Sequence, residues 1–450
     1  MNIKSIGIVI ALLLIMFMSA IETSIVSLAL PTIKDDLNVT SSISLIFAVY
    51  FIAIVIANPI VGELLERTKM IYITIFGLLC FLIGSLFSGL SETFTILIVS
   101  RFIQGLGAGI MMALCQIVPK LAFEIPLRYK IMGIVGSVWG ISSIIGPVLG
   151  GGILEFATWH WLFFVNIPIA ILAMILVLIT FHFDDEQTEK DTNNKLDVKG
   201  LTLFYIFILF LLLTVMNTTN LFINIVSFIV ACLIAIVLYK NEKRINNPFV
   251  PVKEFNKMIV LVFATDFLFA IMLMGYNLYM PVYLQEELGL SPLQSGFVIF
   301  PISLAWLLLN FSLGKIEAHF ARKTLYLAAF TSLMISSILI FIGTDYPIFI
   351  AFSLLFAGVS FGTVYTKNSV ITQEETSPEH MKRMMSLYTL TKSLGNSLGS
   401  TIMGYVYSMS IVFLGLNIHN VLLVACMILI GLIILWSFIY KPKTENNPRY

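Results

Sequence analysis

Residues 5–30 read SIGIVIALLLIMFMSAIETSIVSLAL, an apolar run interrupted by one charge, Glu22. A helix needs roughly 20 apolar residues to cross about 30 Å of hydrocarbon, so this run is long enough to span a bilayer. It is too long for the apolar region of a signal peptide and lacks a small-residue cleavage site, so it reads as a first membrane span. The same pattern recurs along the chain. Runs of this kind occupy residues 5–30, 42–64, 70–89, 94–116, 131–155, 160–182, 199–217, 220–239, 258–284, 294–316, 322–343, 346–369, 382–409 and 419–440. The composition agrees, with 59% apolar and 11% charged residues, a mean hydropathy of +0.99 and a net charge of +1. A soluble domain carries roughly 25% charged residues, so this chain cannot clothe a water-exposed surface. A cytosolic enzyme, a nucleic-acid binder and a secreted disulfide scaffold are excluded. The fold class expected is all-α, a polytopic membrane protein of fourteen transmembrane helices.

Cytoplasmic loops are enriched in Lys and Arg, which orients the spans. With the N-terminus inside, 22 basic residues fall inside, Lys34 falls outside, and Arg101, Lys367 and Lys392 lie within spans. Both termini are then cytoplasmic, and Lys367, near the inner end of its span, would snorkel. Two stretches, 183–198 and 241–257, hold too few apolar residues to fold alone and read as cytoplasmic linkers. The organisation is an N-terminal six-helix bundle (1–182), a linker, an extra helix pair (199–240), a linker, a C-terminal six-helix bundle (258–440) and a cytoplasmic tail (441–450). Trp159 and Trp161 would sit as interfacial rings, and Cys80, Cys115, Cys232 and Cys426 as small buried hydrophobes.

The two bundles carry matched loops. Residues 62–69 read GELLERTK and residues 314–323 read GKIEAHFARK, each after the second span of its bundle. An internal duplication is the usual architecture of secondary transporters, with the site at the midplane between halves.

At this point a resemblance becomes specific. The loop of Gly62, Glu66 and Arg67 is similar to the GxLaDrxGrk loop of the major facilitator superfamily, with Glu66 for Asp and with Lys69 and Met70 for the following Gly and Arg. Arg101-Phe102-Ile103-Gln104-Gly105-Leu106-Gly107-Ala108-Gly109 resembles its RxxqGxgaa segment, and Gly146-Pro147-Val148-Leu149-Gly150-Gly151 its exporter signature GPxxGG. Glu22-Thr23-Ser24-Ile25-Val26, with Ala29-Leu30-Pro31, resembles the DxTivnvALP pattern of the fourteen-span drug:proton antiporters. The resemblance covers essentially the whole chain. It implies the major facilitator fold, two six-helix bundles plus two additional central helices, and export of amphipathic, cationic drugs against protons by a bacterial multidrug efflux transporter of the cell membrane. A narrower exporter, an uptake symporter and, remotely, a proton-pumping subunit of a respiratory complex are the alternatives.

A charge at the bilayer centre costs about 2.5–3.5 kcal/mol on insertion scales, so Glu22 and Asp266 are candidates for proton coupling and substrate binding. At 1.5 Å per residue Glu22 and Arg101 lie at similar depth, roughly 12–13 Å below the outer ends of their spans. In the superfamily fold both helices line the cavity, which implies that Arg101 neighbours Glu22 and modulates its proton affinity. Lys392 is at a depth similar to Asp266 and could pair with it. Each of these charges has a purely structural reading as a pair between helices. Tyr276 and Tyr279 are candidates for an apolar pocket with cation–π capacity. Small residues at Gly146, Gly150 and Gly151 with Pro147 suit close, adjustable helix packing. The chain has no GxxxxGK[ST] loop and no metal-ligand spacing, so neither ATP drive nor a cofactor is expected, and it is not read as an enzyme. The expected partners are the lipid bilayer, protons and lipophilic or cationic small molecules, with no nucleic acid and a monomeric state.

Overall fold

A computed structural model of the chain describes residues 3–39, 43–124, 127–182, 197–216, 221–245, 248–317, 319–377, 380–409 and 415–439. Most of the first linker and the whole tail, 441–450, lie outside these. Among the described residues every regular element is helical. The helices are α1 (Ile3–Leu28), α2 (Leu30–Asp36), α3 (Leu45–Arg67), α4 (Met70–Gly89), α5 (Phe94–Ala122), α6 (Leu127–Phe156), α7 (Trp161–Phe164), α8 (Asn166–Thr180), α9 (Val198–Met216) and α10 (Leu221–Glu242). After a 3-10 turn at Val252–Glu254 come α11 (Lys257–Met274), a π-helical turn (Gly275–Tyr279), α12 (Met280–Glu286), α13 (Pro292–Glu317), α14 (Arg322–Ile342), α15 (Pro347–Glu374), α16 (Met381–Tyr407) and α17 (Asn417–Ile439).

Ten helical segments among the described residues are long and apolar enough to cross a membrane, and three shorter apolar helices accompany them. Helix α16 is polar for a membrane segment, carrying Lys392, Ser393, Asn396, Ser397, Ser400 and Thr401. Such groups are tolerable at membrane depth only where protein or a water-filled cavity receives them. Starts are set by local chemistry where side chains allow: Thr93 accepts from the Ile96 N–H at 3.4 Å, and Asn256 from that of Ile259 at 2.8 Å.

Helix α1 packs on α5, α6 and α8, and α5 on α3 and α4. In the later part of the chain α11 packs on α16 and α15, α13 and α14 on α15, and α14 on α17. The two groups meet along α6–α13 and α3–α16. Among the described residues, direct polar contacts across this seam lie at the end opposite the N-terminus: Gln285 Nε2 donates to Leu28 O at 3.0 Å, Lys34 Nζ lies 3.4 Å from Glu286 Oε1, and Ser397 Oγ donates to Ala48 O at 3.1 Å. Helix α9 leans over the seam, with Phe204, Ile208 and Leu212 clustering with Val55 of α3 and Leu390, Leu394 and Leu398 of α16. The Tyr205 hydroxyl donates to Ile56 O at 2.8 Å. Helix α10, outside α9, exposes Phe222, Ile229, Leu233 and Ile236 as a lipid-facing helix must.

Three sequence readings are corrected. Trp159 is buried, not interfacial, and its Nε1 donates to Asp36 Oδ2 at 2.8 Å, whereas Trp161 is exposed. Cys232 is exposed on α10 rather than packed inside. Lys367 does not snorkel: it is fully buried in α15, where neighbouring helices cover the position hydropathy had placed near the rim.

The 3-10 turn is clamped to the α15–α16 connection. Glu254 accepts from the Ser377 hydroxyl at 2.8 Å and the Ser377 N–H at 3.2 Å, and lies 3.0 Å from His380 Nδ1. Burial alone would raise the Glu254 carboxyl, but the bonds from Ser377 and the His380 contact outweigh it and hold the carboxyl below its ordinary range. A depressed folded value stabilises above the unfolded value and the gain is lost as pH falls through the folded one. Glu254→Gln should therefore cost about 1 kcal/mol near neutrality. The difference should narrow below about pH 4, as read by thermal unfolding of parent and variant across pH.

Candidate functional site

Two polar clusters lie within the helices, one in each group. In the first, Glu22 of α1 and Arg101 of α5 are both fully buried, with Arg101 Nη1 2.5 Å from Glu22 Oε1. The second carboxylate oxygen accepts from Asn166 Nδ2 of α8 at 2.6 Å. Arg101 Nη1 also donates to Gln104 Oε1 at 2.6 Å, and Gln104 Nε2 donates to Ser85 Oγ of α4 at 2.9 Å. The guanidinium lies 4.2 Å from the centroid of the Tyr50 ring and 5.7 Å from that of Phe163. A buried ion pair survives desolvation only when further hydrogen bonds occupy its remaining positions, and here Asn166 and Gln104 do so. Arg101 Nη2, Asn166 Oδ1 and the Tyr50 hydroxyl still lack hydrogen-bond partners among the described residues, so the cluster has spare capacity for a polar guest.

The segment after Arg101 explains how α5 reaches this position. Arg101 and Gln104 are three apart and share a face. Along α5, Gly105 lies against Tyr50 and Ala53 of α3, and a Cβ at Gly109 would sit 2.9 Å from Ile54 Cα. Without side chains there, α5 presses onto α3 and brings Tyr50 under the guanidinium. These glycines, inside a helix, are packing residues.

In the second cluster Asp266 of α11 is buried, and its Oδ1 accepts from the Tyr388 hydroxyl of α16 at 2.7 Å and Asn368 Nδ2 of α15 at 3.1 Å. Asn368 Oδ1 accepts from the Tyr326 hydroxyl of α14 at 2.6 Å. Asp266 Oδ2 has no hydrogen-bond partner among the described residues. Lys392, one turn past Tyr388 on α16, attracts Asp266 electrostatically, and its Nζ lies 4.0 Å from the Tyr365 ring centroid.

The structure thus joins Glu22 with Arg101 in an ion pair, and in the second cluster gives Asp266 hydrogen bonds from Tyr388 and Asn368 with Lys392 acting on it electrostatically. It does not bring Tyr276 and Tyr279 to Asp266. Tyr276, ten residues or roughly 15 Å further along the helix, bonds Ser337 Oγ at 2.7 Å. Tyr279 donates to Ser400 O at 3.2 Å and stacks on Tyr407. The aromatic groups beside the acid are Tyr388 and Tyr365. Gly146 and Gly150, four apart, receive Ser24 and Ile25 of α1, while Pro147 and Gly151 face α13. Gly62, Glu66 and Arg67 belong to the last turns of α3, and their side chains lie outside what the structure describes. Among the described residues no group of His, Cys, Asp and Glu could hold a metal ion.

A Multidrug efflux pump SdrM from Staphylococcus aureus (strain N315) is 63% identical over 447 residues, covering 99% of this chain and 100% of that protein. Multidrug resistance protein 3 from Bacillus subtilis (strain 168) is 25% identical over 407 residues, covering 89% and 79%. Among solved structures a D-xylose-proton symporter superposes with a TM-score of 0.68 at 14% identity, covering 98% of each chain, which is a likeness of fold. With transporters at every level of similarity, the chain is a membrane transporter and not an enzyme. The model of the Major Facilitator Superfamily matches residues 12–400, and the chain belongs to that family.

Proposed function

We propose that the chain is a proton-coupled antiporter that exports amphipathic, cationic drugs from the cytoplasm by alternating access. The carrying observation is the fully buried Glu22–Arg101 pair with its Asn166 bond, a carboxylate held in reserve between three helices. The 63% identical relative, named a multidrug efflux pump, supports drugs as the cargo. A carboxylate that binds either a proton or an organic cation, and poorly both, couples the two flows without covalent chemistry. Glu22 and Asp266 together would allow two protons per substrate, so that export of a monovalent cation still moves net charge. The membrane potential then supplies about 2.3 kcal/mol per charge per 100 mV.

The architecture proposed with this mechanism is two six-helix bundles, 1–182 and 258–440, and an extra pair within 199–240, fourteen spans in all with both termini cytoplasmic. The polar helix α16 counts as a span because its hydroxyls and Lys392 face protein or a cavity rather than lipid. In that orientation the contacts of Leu28, Lys34 and Ala48 with the second group close the outer end, an inward-facing arrangement. The protein acts as a monomer in the cell membrane.

The test is ethidium accumulation in inside-out vesicles energised by a proton gradient. The parent should accumulate ethidium and release it when the gradient is collapsed. Asp266→Asn should retain transport but with a lower charge-to-substrate ratio, read from the dependence of accumulation on an imposed potential. Absence of gradient-driven uptake by the parent would overturn the drug:proton reading.

A further inference from the structure

The ammonium of Lys392 rests on an aromatic wall. It lies 4.0 Å from the Tyr365 centroid and 6.0 Å from that of Trp306. Those two rings are near-parallel, 5.3 Å apart at 14°, and Phe361 continues the stack 6.4 Å from Trp306 at 26°. Two rings, Trp306 of α13 and Tyr365 of α15, therefore present π faces to a cation carried on α16, with Phe361 backing them and the Asp266 carboxylate attracting the same cation. Asp266, Phe361 and Tyr365 are buried, whereas Lys392 and Trp306 are only partly so. The wall thus opens on one side, along helices that meet the other half of the molecule through α3 and α6.

Aromatic faces backed by a carboxylate are how proteins hold organic cations. Here the cation in that position belongs to the chain. We propose that Lys392 is a tethered occupant of an organic-cation site: an aromatic monocation reaches the Tyr365–Trp306 face and the field of Asp266 only by displacing the lysine ammonium. Lys392 is thereby a specificity-determining residue. It taxes small monocations, which must compete with it, and leaves uncharged aromatics, which gain nothing from Asp266, almost untouched. Apparent affinity falls by the fraction of time the face is vacant. A lysine in place about nine-tenths of the time would weaken cation binding about tenfold. The substrate class rests on the drug:proton reading, but binding at equilibrium requires no proton gradient.

The experiment is equilibrium binding to the purified full-length chain, with tetraphenylphosphonium as the cation and triphenylphosphine oxide as the neutral probe. Lys392→Gln should bind the cation about tenfold tighter and the neutral probe within about twofold of the parent. Lys392→Arg, whose guanidinium also lies on aromatic faces, should match the parent. Adding Tyr365→Leu to Lys392→Gln should erase the gain. Equal or weaker cation binding by Lys392→Gln, including none, overturns the proposal. So does an equal gain for the neutral probe, which would make the lysine a steric plug, or a gain that survives loss of Tyr365, which would make it bulk charge repulsion. Thermal unfolding of each variant checks that the fold is kept, and parent vesicles that fail to move ethidium would sink the antiport reading while leaving this comparison intact.

Discussion

Glu22→Gln is expected to abolish proton-driven ethidium accumulation in inside-out vesicles while leaving the protein folded. At 100 mV one net charge per cycle sustains a gradient of about fiftyfold, so loss of coupling should bring the accumulation ratio from that order to about 1. The substitution is well suited to the site. The new amide keeps an oxygen to accept from Arg101, and its nitrogen can donate to Asn166 Oδ1, which has no partner among the described residues, once the Asn166 amide turns over. What disappears is the capacity to gain and lose a proton, together with the counter-charge of the buried Arg101, so the variant should also lose some stability, less than Arg101→Ala because both hydrogen bonds are kept. Arg101→Ala makes the contrasting control. It leaves a buried carboxylate without its counter-charge, with Gln104 losing a donor as well, and should cost roughly 3–5 kcal/mol of stability. A Glu22→Gln protein with parental accumulation would place the coupling group elsewhere, and Asp266 would then be the first candidate.

The sequence carried the helical fold and the charges at depth because both are encoded one-dimensionally. Apolar length marks a span, and a carboxylate or guanidinium inside one is costly enough to stand out. The partners of those charges were harder to read. Asn166, Asn368 and Tyr388 are neutral, and a span that is apolar nearly all round gives no rotation angle from which to know what its polar residues face. Weak signals did exist. Gln104 is three residues past Arg101, and Tyr388 is four before Lys392, spacings that place each pair on one helix face. Tyr276 and Tyr279 are near Asp266 only along the chain. Chain proximity fails in a helix whose axis carries them away at about 1.5 Å per residue. The depth of Lys367 in its span does not say whether that position faces lipid or protein.

Gly296→Val, combined with Gly151→Val, is expected to stop transport by a different route, by preventing the two halves from closing along α6–α13. A Cβ at Gly296 would lie 2.5 Å from Pro147 O and 3.0 Å from its carbonyl carbon, and one at Gly151 would lie 2.5 Å from Leu293 Cα and 2.9 Å from its N. These are backbone atoms of the opposing helix, which cannot swing aside as a side-chain tip would, so the helices must separate. Overpacking costs about 1–3 kcal/mol per site, and inverting a 99:1 population takes about 5.5 kcal/mol, so one substitution should slow transport and the pair should trap the open end. Spin labels at Lys34→Cys and Glu286→Cys, positions that form an ion pair in the closed arrangement, should move apart in the double variant. Gly152→Val is the matched control, because a Cβ there meets nothing within 4 Å. It should transport as the parent does. If the double variant also transports normally and the label distance is unchanged, then the close approach of Pro147 and Gly296 is not what seals that end of the molecule.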